Sequence, residues 1–143
     1  MTMQYRNLGR SPLKVSTLCL GTMMFGDQTD LGEARNIVAH AAQLGVNFID
    51  TADVYTTGKS EAMVGELLAA NRHAWVLATK VGNKMSDAPN ESHYSRTWMM
   101  RACEASLKRL GTDHIDLYYL HRDFNGMDLE EPLRALDALL RAG

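Results

Sequence analysis

Cysteine is nearly absent from this chain: there are two in 143 residues, Cys19 in an apolar run and Cys103 in a helical pattern. Two thiols so far apart make neither a disulfide framework nor a metal knuckle, and they read as small buried side chains in a reducing compartment. Charge of one sign is lacking as well. The formal net charge is −2 and the pI is near 6.2, which gives no electrostatic reason to expect nucleic acid or an anionic membrane as partner. No stretch approaches the ~18 apolar residues of a membrane span, and the opening MTMQYRNLGR carries charge without the apolar core of a signal peptide. A cytoplasmic setting is the expectation. Also missing are a Gly-x-Ser-x-Gly elbow and any His-x-His or His-Glu-x-x-His pair, so acyl transfer and zinc hydrolysis lack their usual residues and no metal is expected. What is present, 45% hydrophobic and 22% charged residues, suits one soluble domain with a real core over residues 1–143.

The organisation is repetitive. Residues 5–18 read as a hairpin around Gly9 to Pro12. After it come four strand-then-helix units. The strands are expected at 18–24, 46–50, 75–81 and 115–121, and the helices at 31–44, 60–70, 95–110 and in the closing DLEEPLRALDALLRAG. Asp30 with Glu33 makes a capping-box-like start to the first helix, and Gly45 and Gly111 make stops. In the last helix Leu133, Leu136, Leu139 and Leu140 are expected to face inward, with Pro132 in the first turn. Strands this apolar cannot leave a face in water, so the order argues for a parallel sheet covered by helices, either an open doubly wound sheet or a (β/α) barrel.

Three successive strands end in a charged or titratable residue: VNFID at Asp50, WVLATK at Lys80 and IDLYYLH at His121. In both architectures the C-terminal ends of parallel strands face the ligand. Tyr55, five residues past Asp50 on the loop leaving that strand, reaches the same mouth. These four residue types suit proton donation to a carbonyl. A lysine ammonium beside a phenol favours the phenolate, a carboxylate opposite keeps the lysine charged, and a histidine can orient a carbonyl oxygen or share in a proton relay. Of the other histidines, His40, His73 and His114 read as structural or solvated, while His93, in the loop SDAPNESHYS, lies where loops contact ligands. The charges of Arg101, Lys108 and Arg109 fit an exposed helix face.

The triplet Gly58-Lys59-Ser60 imitates the tail of a phosphate-binding loop. Such a loop needs glycine five residues before Gly58, and that position is Asp53. Ser60 is more simply the N-cap of the second helix, with Glu61 in the first turn.

GTMMFG at 21–26, GVNFIDTADVY at 45–55, GKSE at 58–61, ATK at 78–80 and SLKRLGTDHIDLYYLH at 106–121 closely resemble the aldo-keto reductases, in the right order over essentially the whole chain. The resemblance implies a (β/α)8 TIM-barrel fold, NADP(H) as cofactor, and reduction of aldehydes or ketones to alcohols. It also implies Tyr55 as proton donor, Lys80 and Asp50 as its tuning pair, and His121 as the residue orienting the carbonyl. Gly21, Thr22 and Met23, with Asp50, match the segment bordering the nicotinamide end of the cofactor. The leading hairpin is similar to the one that closes the barrel bottom.

Such barrels take about 250 residues, so the expectation is a partial domain holding about four of eight βα units, truncated before the cofactor-binding C-terminal half. Two further readings stay open. One is a catalytically incompetent half-barrel or interaction module, whose open edges self-association would cover; the other is a cofactor-sensing regulatory subunit. The substrate expected is a small-molecule carbonyl compound.

Overall fold

The computed structural model describes residues 2–143. Strands β1 (Tyr5–Asn7) and β2 (Lys14–Ser16) pair antiparallel as the hairpin. Four parallel strands follow in one sheet, in sequence order: β3 (Leu20–Gly21), β4 (Phe48–Asp50), β5 (Val76–Val81) and β6 (Leu117–Leu120). Between and after them run α1 (Leu31–Gln43), α2 (Lys59–Leu68), α3 (Arg96–Leu110) and α4 (Glu130–Ala142). The strands are shorter than the apolar runs suggest. In β3 pairing stops at Gly21, because the chain turns there, with Phe25 N–H donating to Thr22 O.

Local chemistry sets the helix ends. Asp30 caps α1 by accepting from Glu33 N–H, and Ser95 caps α3 by accepting from Trp98 N–H. Gly111 ends α3 in the left-handed conformation, as glycine without a Cβ readily does. Ser60 is not a cap. It is fully buried in the first turn of α2, whose cap is Gly58 at φ 87°. The Ser60 hydroxyl donates to Thr22 O at 2.8 Å and lies 3.0 Å from both Thr22 Oγ1 and Thr51 Oγ1. This knot ties α2 to the C-terminal ends of β3 and β4.

Strand alternation separates two faces. Ile49, Leu77 and Val81 point to the helices. Ile49 and Leu77 pack with Ala34, Val38, Val64, Leu68 and Leu110, while Val81 packs with Trp98, Met99 and Ala102. The opposite face carries Gly21, Asp50, Ala78, Lys80 and Tyr119, held level by the pairings Gly21 with Asp50, Asp50 with Ala78, and Lys80 with Tyr119. This is the inward face of a barrel wall. Cys19, immediately before β3, is exposed, unlike the buried Cys103; the structure corrects the expectation that both are buried.

Helix α4 also departs from its pattern. Pro132 and Ala135 are the buried residues, whereas Leu133 and Leu140 are 57% and 80% exposed. A leucine stripe records that a helix has an apolar side, not which angle of that side α3 covers.

The hairpin sits at the opposite end from the strand termini. Ser16 N–H donates to Asn47 Oδ1, Asn47 donates from its side chain to Lys14 O, and Tyr5 Oη donates to Gly45 O. It therefore covers the bottom of the sheet and leaves the C-terminal ends free.

Candidate active site

Lys80, second to last in β5 and only 7% exposed, organises the mouth. An ammonium has three protons to donate, and Nζ has three acceptors: Asp50 Oδ2 at 2.6 Å, Thr51 O at 2.7 Å and Tyr55 Oη at 3.1 Å. The Asp50 contact is an ion pair. Because the lysine donates to the phenol oxygen, the Tyr55 hydroxyl proton remains free for another acceptor.

Tyr55 is placed by a stiff loop. Residues past Asp50 continue along β5, with Thr51 N–H donating to Ala78 O and Asp53 N–H to Lys80 O, before Tyr55 N–H donates back to Ala52 O. Thr56 and Thr57 then adopt φ of 48° and 54°, left-handed positions that β-branched residues seldom take. Thr56 Oγ1 anchors the turn on Phe25 O.

His121 follows β6, its backbone N–H on Val81 O. Its ring meets the Tyr55 ring edge-on, with centroids 5.7 Å apart. Burial, then the Lys80 and Arg122 charges, hold its pKa below the ordinary histidine value. A neutral imidazole keeps one N–H to offer. The structure thus brings Asp50, Tyr55, Lys80 and His121 together at one end of the sheet.

Beside them lies a cavity of about 350 Å³ lined in part by Gly21, Thr22, Met23, Met24, Asp50 and Tyr55. A Cβ placed on Gly21 would meet nothing within 4 Å, so the wall there is flat and open. Thr22 contributes shape only, since its hydroxyl donates to Asp50 O and faces Ser60.

His93 lies outside this cluster. It stacks on Phe124 with centroids 4.3 Å apart, and Ser92 Oγ lies 2.9 Å from its Nδ1.

Sequence reasoning also misses three groups. Tyr119 donates from Oη to Asp50 Oδ1 at 2.5 Å; its place two residues before His121 on one strand was the available signal. On the helix side, Glu61 is fully buried, accepting from Thr79 Oγ1 and Arg109 Nε, both at 2.6 Å. Arg109 is therefore not an exposed-face charge.

Asp53, 1% exposed, is the third, with neither carboxyl oxygen hydrogen-bonded. Burial and then the Glu61 carboxylate push its pKa from 3.8 up to about 7, against the nearby Val54 backbone N–H and then the Arg109 and Lys80 charges, which pull it down. Across the sheet Tyr118 on β6 is neutral, its own pKa raised chiefly by burial. A carboxyl that ionises later when folded holds its proton between those limits while the unfolded chain has lost it. Its contribution to stability is present below pH 4 and is lost as pH rises towards 7. Asp53→Asn should therefore raise stability at pH 8 by up to about 4 kcal/mol and change it little near pH 4. Urea unfolding at the two pH values checks this; equal shifts at both would contradict it.

The Aldo/keto reductase family model matches residues 17–143. The chain is 38% identical over 143 residues to the "Uncharacterized oxidoreductase YqkF" of Bacillus subtilis (strain 168), covering 99% of this chain and 46% of that protein. It is 40% identical over 147 residues to the "Probable voltage-gated potassium channel subunit beta" of Arabidopsis thaliana, covering 99% and 44%. Among solved structures, "aldo-keto reductase AKR11C1 from Bacillus halodurans (holo form)" superposes with a TM-score of 0.89 at 39% identity, over 99% of this chain and 47% of that one. The chain spans about half the length of these relatives. Among the described residues no helix is long and apolar enough to cross a membrane.

Proposed function

The chain belongs to the aldo/keto reductase family, and from that premise we propose that its strand-end cluster serves the reduction of aldehydes or ketones to alcohols, with NADPH as hydride source. The observation that carries this reading is the Lys80 ammonium with all three donors engaged, one of them on the Tyr55 oxygen. The nicotinamide, when bound, would supply the hydride. The chain's own residues manage the oxygen. Tyr55 gives its free proton to the carbonyl oxygen as negative charge develops there, and Lys80 stabilises the phenolate left behind. Asp50 holds the Lys80 ammonium pointed at Tyr55. Neutral His121 offers its N–H to the same oxygen and sets the carbonyl's direction. Gly21, Thr22, Met23 and Asp50 would border the nicotinamide.

A second reading rests on the open inward face and on the free edges of β3 and β6, each paired on one side only. Unpaired strand edges recruit other strands, so on this reading the chain is a half-barrel that is silent until a second copy or another chain covers it. The relative named as a probable potassium channel subunit beta supports a third reading, a regulatory-subunit role, which for this chain would be cofactor sensing. Titrating NADPH by its fluorescence, followed by addition of an aldehyde, separates the readings. Micromolar binding with turnover supports the reductase, no binding supports the silent half-barrel, and tight binding with very slow turnover supports the sensor.

A further inference from the structure

Two tyrosines flank the Asp50–Lys80 pair, and their hydroxyl protons go to different places. Tyr55 Oη accepts from Lys80 Nζ, so its proton is available to a ligand. Tyr119 Oη instead donates to Asp50 Oδ1 at 2.5 Å, so its proton is committed. We propose that Tyr119 is a positioning residue of the reductase site, a tether that turns the Asp50 carboxylate so that Oδ2 faces Lys80. This rests on the reductase reading for its catalytic meaning and on geometry alone for the tether.

A carboxylate held at one oxygen by a lysine can still rotate about its Cβ–Cγ bond. A second bond at the other oxygen removes that freedom. Asp50 has both, one at each oxygen: Lys80 from the neighbouring β5 at Oδ2 and Tyr119 from β6, one strand further on, at Oδ1. The parallel register supplies the alignment, because Tyr119 pairs with Lys80 and Asp50 pairs with Ala78, two residues back on the same face. The Lys80 ammonium also lies 5.4 Å from the centre of the Tyr119 ring, within cation–π range. Tyr119 is half-buried, and burial together with its bond to Asp50 raises its pKa well above the ordinary phenol value. It stays a donor throughout the working pH range and is unsuited to give its proton to substrate. The chain Tyr119, Asp50, Lys80, Tyr55 is thus directional: a fixed donor at one end and a free proton at the other.

The test is proton NMR on the intact chain, with carbonyl reduction followed in parallel. A hydroxyl proton in so short a bond to a carboxylate should resonate far downfield of the amides. It should persist in Tyr55→Phe and vanish in Tyr119→Phe and Asp50→Ala. Exchange of the Lys80 ammonium protons with solvent should quicken about tenfold in Tyr119→Phe. Adding Tyr119→Phe to Asp50→Ala should quicken it no further, since the tether acts only through Asp50; a general packing role would add to the effect. Where turnover is measured, kcat should fall about tenfold in Tyr119→Phe with the cofactor KM unchanged. Absence of the downfield proton in the wild type, or unaltered Lys80 exchange in Tyr119→Phe, would overturn the tether. Loss of the reductase reading is seen separately, as undiminished turnover in Tyr55→Phe.

Discussion

Replacing Arg109 by alanine is expected to cost about 3–5 kcal/mol of folding stability, the range for breaking a buried ion pair by removing one partner. The reason lies under α2. Glu61 has no exposed side-chain surface, and its two oxygens are served by one donor each, Thr79 Oγ1 and Arg109 Nε. Without the guanidinium, a carboxylate is left in the core facing Asp53, a second carboxyl with no partner. The loss is not confined to charge. The Arg109 side chain also lies over Gly58, where a Cβ would come within 2.6 Å of Arg109 Cδ, and it donates to Ser106 Oγ. Since domains of this size hold only about 5–15 kcal/mol in all, the variant should unfold at a much lower urea concentration. Adding Glu61→Gln should recover part of the loss, because a neutral amide no longer demands a cation. A cost below about 1 kcal/mol for Arg109→Ala would show that Glu61 does not depend on its partner.

This ion pair marks a limit of what a sequence discloses. Helical spacing puts Arg109 beside Lys108 on the polar side of α3, and nothing local reveals that α2 presents a buried acid to it. Ser60 is a similar case. Its position before an apolar helix reads as a cap, yet its hydroxyl meets Thr22, just past β3 and 38 residues away, and Thr51, just past β4. Both are tertiary contacts between elements that are themselves readable.

By contrast, Asp50, Lys80 and His121 were legible because parallel strands deliver their last residues to one side, a rule that needs element order and nothing else. Tyr119 falls between these cases. Its face follows from His121 by alternation, but its bond to Asp50 depends on the β5–β6 register, which becomes visible only when the strands are paired. The leucines of α4 show the remaining gap. Their periodicity gives a helix correctly, whereas which of them is covered depends on what lies beyond α3.

Tyr55→Phe carries the largest expected effect on function. The substitution keeps the ring against His121 and removes only the oxygen that Lys80 holds and the proton it leaves free. Correctly placed proton donation is worth about 10²–10⁴-fold in rate. The cavity wall formed by Gly21, Thr22 and Met23 is left intact, so cofactor affinity should not change. Asp50→Asn and Lys80→Met are less incisive, because each disturbs several bonds at once.

The most direct measurement is kcat for NADPH-dependent reduction of an aldehyde, compared between wild type and Tyr55→Phe, with NADPH affinity determined on the same samples. The predicted result is a fall of about 10²–10⁴-fold in kcat at unchanged NADPH Kd. Equal turnover in the two proteins would contradict the assignment of Tyr55 as the proton donor.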